Sequence, residues 1–240
     1  MFNFETSKTN AFNEKDIAIA ACSRVNDSYR IDIHCPDCGG VRVSLWQYTG
    51  NGLYPAGLTK MEHGRAEFKG DVETPSLMYV YVEGTSDYLP LFVENGDIDI
   101  DFVYSRPSRS VVTGSLSHKK FNDFLQSYSA YSDKGTGIEK MIENAEQNQD
   151  TMMLQRLREN LEVLKHEEID FQTQYVVQNI NSPVAAYILC ANLMYDIEPG
   201  QLGSIVRMFD SETAKSDYVK LAADYLAKIQ QDTVINKTEL

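Results

Sequence analysis

Between Leu91 and Phe124 the hydrophobic period of the chain changes from two to about three and a half, and this switch limits what each side can fold into. Ile98, Ile100 and Phe102 alternate with Asp97, Asp99 and Asp101, the pattern of a strand with one buried face. Phe121, Phe124, Leu125 and Tyr128 recur instead at helical spacing, and Gly114 stands at the seam. The expected fold class is α+β: an N-terminal antiparallel β-sandwich followed by a helical domain with one long helix.

Upstream of the switch the alternation is strict. Tyr29, Ile31 and Ile33 alternate with Arg30, Asp32 and His34. After Cys35-Pro36-Asp37-Cys38-Gly39-Gly40, Val41, Val43 and Leu45 alternate with Arg42, Ser44 and Trp46, which predicts a hairpin. Turn residues recur at Gly50 to Gly52, at Glu62 to Gly64 and at Asn95-Gly96. Between them lie the apolar rows Met78, Val80, Val82 and Leu89, Leu91, Val93, and Val111 to Thr113 closes the series. Roughly eight short strands at turn spacing favour a sandwich over any βαβ arrangement.

Beyond Gly114, Ser117 is expected to cap a helix that Gly135 and Gly137 end. From Ile138 to Ile180 there is no Pro or Gly, and Leu154, Leu157, Leu161, Leu164, Phe171 and Tyr175 keep a seven-residue repeat. Asn144 to Thr151 lacks apolar anchors, so a bend, fraying or a break is expected there. Ser182-Pro183 opens an almost wholly apolar helix, Val184 to Met194, Pro199 opens the next, and Ser216 caps the last. The implied organisation is a leader at 1–27, a sandwich at 28–114, a helical domain at 115–232 and a frayed tail at 233–240.

Lys and Arg total 22 against 35 Asp and Glu, a net charge of -13 that argues against nucleic acid and anionic lipid as partners. No run reaches the roughly 18 apolar residues of a membrane span, so a soluble mature chain is expected. Ile19-Ala20-Ala21-Cys22 has the form of a lipoprotein processing site, which makes Cys22 a lipidation candidate and the only membrane link expected. The apolar stretch before it is interrupted by Glu14, Lys15 and Asp16. Two placements follow: the cell envelope, as a periplasmic or outer-membrane-anchored lipoprotein, or the cytoplasm with the match arising by chance.

Cys35-Pro36-Asp37-Cys38 has the spacing of a redox motif, but a strand follows it where the redox mechanism needs a helix N-terminus to lower a thiol pKa. The residues admit a plain structural turn, a local disulfide or half of a metal site, and the turn is expected. The other candidate metal ligands, His34, His63, Cys22 and Cys190, lack zinc-site spacing, and Cys190 reads as a small apolar residue in a buried helix. An EF-hand starting at Asp97 would need Gly and an acid where Phe102 and Ser108 stand. No metal or cofactor is therefore assigned. Trp46 and Tyr48 on one strand, with Tyr79 and Tyr81 on another, are candidates for a platform that stacks a sugar or peptide, or else for interface packing.

The order of a lipobox-like cysteine, GRAEFKGDVETPSLMYVYV, LPLFVENGDIDIDF, VVTGSLSHKKFNDF and NSPVAAYILCANLMYDI resembles a domain of unknown function that precedes thioredoxin-like domains in envelope lipoproteins of Gram-negative anaerobes. The resemblance spans Tyr29 to Gln230, and its most diagnostic pieces are the Phe92 to Gly96 turn and Asn181-Ser182-Pro183. It implies a sandwich followed by helices, with redox chemistry in a downstream thioredoxin-like domain that would begin where this chain stops. The expected function is a non-catalytic accessory or interaction module, whose partner is another protein or such a downstream domain. The alternatives are a thiol-disulfide protein using Cys35 and Cys38, and a glycan- or peptide-binding module.

Overall fold

A computed structural model describes residues 27–49 and 52–238, with side chains through 231. Residues 1–26 of the expected leader, Cys22 among them, and Gly50 and Asn51 of the second turn lie outside the described residues. In chain order the strands are β1 (Tyr29–His34), β2 (Arg42–Tyr48), β3 (Leu53–Lys60), β4 (Arg65–Gly70), β5 (Ser76–Val82), β6 (Leu89–Val93), β7 (Gly96–Asp101) and β8 (Val111–Thr113). They form two four-stranded sheets, ordered β4-β1-β7-β8 and β3-β2-β5-β6. The helices are α1 (Leu116–Gln147), α2 (Thr151–Gln178), α3 (Pro183–Ile188), α4 (Pro199–Val206) and α5 (Asp217–Thr238). The fold is α+β, with strands first and helices after.

The alternating residues behave as their period requires. Ile31, Ile33, Val43, Leu45, Val80, Leu91, Ile98 and Ile100 are buried between the sheets, while Asp97, Asp99 and Asp101 face solvent. The expected β1–β2 hairpin does not form, because β1 pairs with β4 and β7 whereas β2 pairs with β3 and β5. The chain crosses from one sheet to the other there, which alternation within each strand cannot reveal. Further crossings follow β3, β4 and β6, and after the last of them β7 lies parallel to β1 inside an otherwise antiparallel set. Asn95 holds this last crossing by accepting from the Val72 amide and donating to the Val72 carbonyl, both at 3.0 Å.

The start of α1 is fixed by the free edge of β6. The Ser115 hydroxyl donates to the Phe92 carbonyl at 2.9 Å and accepts from the His118 amide at 2.9 Å, so Ser115 rather than the expected Ser117 is the cap. His118 Nδ1 accepts from the Phe92 amide at 3.4 Å. Both outward backbone groups of Phe92 are thereby satisfied, and the edge is closed to strand pairing at that point. Glu94 accepts from the Leu116 and Ser117 amides and, at 2.7 Å, from the Ser117 hydroxyl, placing a carboxylate at the helix N-terminus. Gly114, at φ 90°, makes this approach possible, since a Cβ there would collide with the Asp97 carbonyl.

Gly135 and Gly137 do not end α1, which runs for 32 residues. Two helical glycines cost roughly 1 kcal/mol each, and packing against α2 offsets this. A Cβ at Gly135 would stand in ordinary contact, 3.8 Å, with Leu164 of α2, whose Leu157 and Leu164 are buried. The break falls instead at Asn148 to Asp150, within the stretch that lacks apolar anchors. There Gln149 takes φ 56° and the Asp150 carboxylate accepts from the Met153 amide at 3.0 Å, starting α2. Two long antiparallel helices therefore replace the expected single one. α3 opens at Pro183 as expected and continues into a π-helical turn, Leu189–Leu193, but the buried Ser182 hydroxyl makes no capping bond. α5 continues to Thr238, through most of the stretch whose composition suggests a frayed tail.

Leu77 and Phe92, on the outer face of the β3-β2-β5-β6 sheet, join Phe121, Phe124, Val184, Leu189, Leu193 and Tyr218 in one buried cluster. The helices are thus packed on the sandwich through a common core. Tyr218 also enters the sheet ladder. β2 pairs with β5 only as far as Gln47 and Met78. At the next rung the Leu77 amide donates to the Tyr218 hydroxyl at 2.9 Å, and that hydroxyl donates onward to the Tyr48 carbonyl at 3.1 Å.

Candidate functional site

The turn after β1 places Cys35 and Cys38 in a disulfide with Cα atoms 5.2 Å apart, each 1% exposed. The disulfide that the spacing allowed therefore stands in place of the plain turn. The Cys38 amide donates to the Cys35 carbonyl at 3.0 Å, and the Cys35 amide donates to the Gly64 carbonyl at 2.8 Å. Gly64 has φ 73°, and a Cβ there would lie 2.9 Å from the Cys35 carbonyl oxygen, so the two turns interlock. No helix begins here, so neither sulfur has the amides and dipole that favour a thiolate. Pro36 and Asp37 are exposed while the sulfurs face the sandwich core. The arrangement can clamp a sheet crossing, but a partner thiol cannot reach it without opening the turn.

The other candidates do not converge on a site. His34 and His63 are exposed, with His34 3.4 Å from Asp101 on the outer face of the β4-β1-β7-β8 sheet. Cys190 is buried in the π-helical turn, where burial pushes its thiol up to about 11. Among the described residues no group of three His, Cys, Asp or Glu side chains is placed to hold a metal ion, and no helix is long and apolar enough to cross a membrane.

The aromatic candidates all lie on one sheet face. Trp46 and Tyr79 are cross-strand neighbours, as are Ser44 and Tyr81. The helices divide this face. Tyr48 packs against Tyr187 and Tyr218, with ring centroids 6.1 and 6.3 Å apart, and belongs with Tyr79 to the margin of the common core. Burial raises the pKa values of Tyr187, Tyr218 and Tyr79. Tyr48 and Tyr79 are therefore interface packing. Trp46 and Tyr81 stay outside the helical cover, and Tyr88, which sequence reasoning missed because it sits in a turn, joins Tyr81 at 5.3 Å and Tyr79 at 6.3 Å. The sheet register was the missing information.

No curated protein matches this chain. Residues 29–121 match a family model, a stretch that covers the sandwich and the first residues of α1 and ends well short of the Tyr29 to Gln230 span of the resemblance. The model matched is that of a domain of unknown function, DUF4369.

Proposed function

We propose that this protein is a non-catalytic accessory or interaction module of the cell envelope, of the kind that precedes a thioredoxin-like domain. The observation that carries the reading is the buried Cys35–Cys38 disulfide. A disulfide sealed in a sandwich core belongs to an oxidising compartment and serves as a clamp, whereas a catalytic pair needs an accessible, thiolate-stabilised sulfur. The outer part of the α1–α2 hairpin supplies a contact surface, since Met141, Met152, Met153 and Val163 are all about half exposed or more.

The competing reading is thiol-disulfide exchange through the same cysteines, and an insulin turbidity assay separates the two. The wild-type protein should not accelerate insulin reduction by dithiothreitol, and mass spectrometry after alkylation of the folded protein under mild reductant should show both sulfurs unmodified. Catalysed turnover that disappears in Cys35→Ser would sink the accessory-module reading and establish the redox alternative.

A further inference from the structure

The helices cover only one end of the β3-β2-β5-β6 sheet. At the other end Trp46 and Tyr81 are partly exposed, Tyr88 is 50% exposed and Leu58 is 70% exposed. The Trp46 Nε1 donates to the Ser44 hydroxyl at 3.0 Å, so the indole leans along β2 toward the residue opposite Tyr81. Tyr88 then extends the row with its ring 5.3 Å from that of Tyr81. Arg42 and Glu83 close the same end: the Arg42 Nη2 donates to Glu83 at 2.8 Å and the Arg42 amide to the same carboxylate at 3.2 Å. Both side chains of this pair stay open to solvent at 69% and 47%.

We propose that this uncovered end is a saccharide-binding platform, on which Trp46, Tyr81 and Tyr88 stack pyranose rings while Arg42 and Glu83 take their hydroxyl groups. The inference goes beyond the accessory-module reading and does not depend on it. Aromatic faces carry negative charge density and suit the C–H face of a sugar ring, and a pre-paired guanidinium and carboxylate offer donors and acceptors side by side. Trp46 and Tyr81 sit on β2 and β5, the two central strands, so a ligand meets ring faces there and not the free backbone that an added peptide strand would use. The net charge of -13 disfavours anionic polymers and leaves a neutral glycan.

Trp46 is the single tryptophan, so its emission reports on this end of the sheet alone. Titration with maltohexaose, cellohexaose and chitohexaose, and with a proline-rich decapeptide, tests the proposal. At least one hexasaccharide should give a saturable change in emission. Its affinity should fall roughly tenfold in Tyr81→Ala and in Tyr88→Ala, the loss of one stacked ring, and should hold in Tyr81→Phe, Tyr88→Phe and in Met152→Ala on the distant hairpin. Arg42→Gln, a surface change that leaves the rings in place, should weaken binding with an unaltered urea midpoint. A flat response to all three sugars, a response to the decapeptide alone, or affinities unmoved in both Ala variants overturns it.

Discussion

Phe92→Ala is expected to lower the unfolding free energy by about 3 to 5 kcal/mol, the range for removing a fully buried aromatic side chain. Phe92 is 0% exposed and touches both halves of the protein, with ring centroids 5.4 Å from Phe121 of α1 and 5.9 Å from Tyr187 of α3. The cavity cannot easily collapse, because the Phe92 backbone is held by Ser115 and His118 on one side and paired with Leu77 on the other. Urea unfolding followed by Trp46 emission, which reports on the sheet, and by far-UV dichroism, which reports mostly on the helices, should show both transitions moving together. A helical transition that shifts while Trp46 emission does not would mean that Phe92 serves the helices alone.

The second large effect is a loss of stability in acid that depends on His118. The ring is 3% exposed, and desolvation lowers its pKa from 6.5 to about 4. With Nδ1 accepting from the Phe92 amide, the neutral ring carries its proton on Nε2, 2.9 Å from the Asn122 carboxamide, whose oxygen must then face the ring. Because the folded pKa lies below the unfolded one, the unfolded chain binds a proton first as pH falls. The contribution is whole above about pH 6.5 and is lost between there and about pH 4, amounting to roughly 3 kcal/mol. His118→Asn removes the titration, so the stability gap between wild type and variant should narrow by about that amount between pH 7 and pH 4. A gap independent of pH would place the His118 pKa at its ordinary value and contradict the buried geometry.

The sheet faces and strand count were legible in the sequence because alternation is a local property: Met78, Val80 and Val82 had to share a face whatever their partners. Which strand pairs with which was not, since β1 and β2 look like a hairpin until the crossing at Cys35 to Gly40 separates them. The break at Asn148 to Asp150 falls where the apolar anchors fail, whereas Gly135 and Gly137 misled because a partner helix can offset their low propensity. At the candidate site Trp46 and Tyr81 were visible as aromatics, but only the placement of the helices removes Tyr48 and Tyr79, and only the pairing of β5 with β6 brings Tyr88 beside Tyr81. The hydrogen bonds of Tyr218 and His118 had no signature at all, because each joins segments more than twenty residues apart.

Sandwich and helices fold as one unit around Leu77, Phe92, Phe121 and Tyr218. Expressing residues 28–114 and 115–240 as separate chains tests it most directly. Each piece would expose its share of that cluster to water, and the sandwich piece would also lose the Ser115 and Tyr218 hydroxyls that satisfy the Phe92 carbonyl and the Leu77 amide. Neither piece alone should show a cooperative urea transition as a monomer, and mixing them should restore one. Two monomeric, cooperatively unfolding pieces that do not associate would contradict the claim.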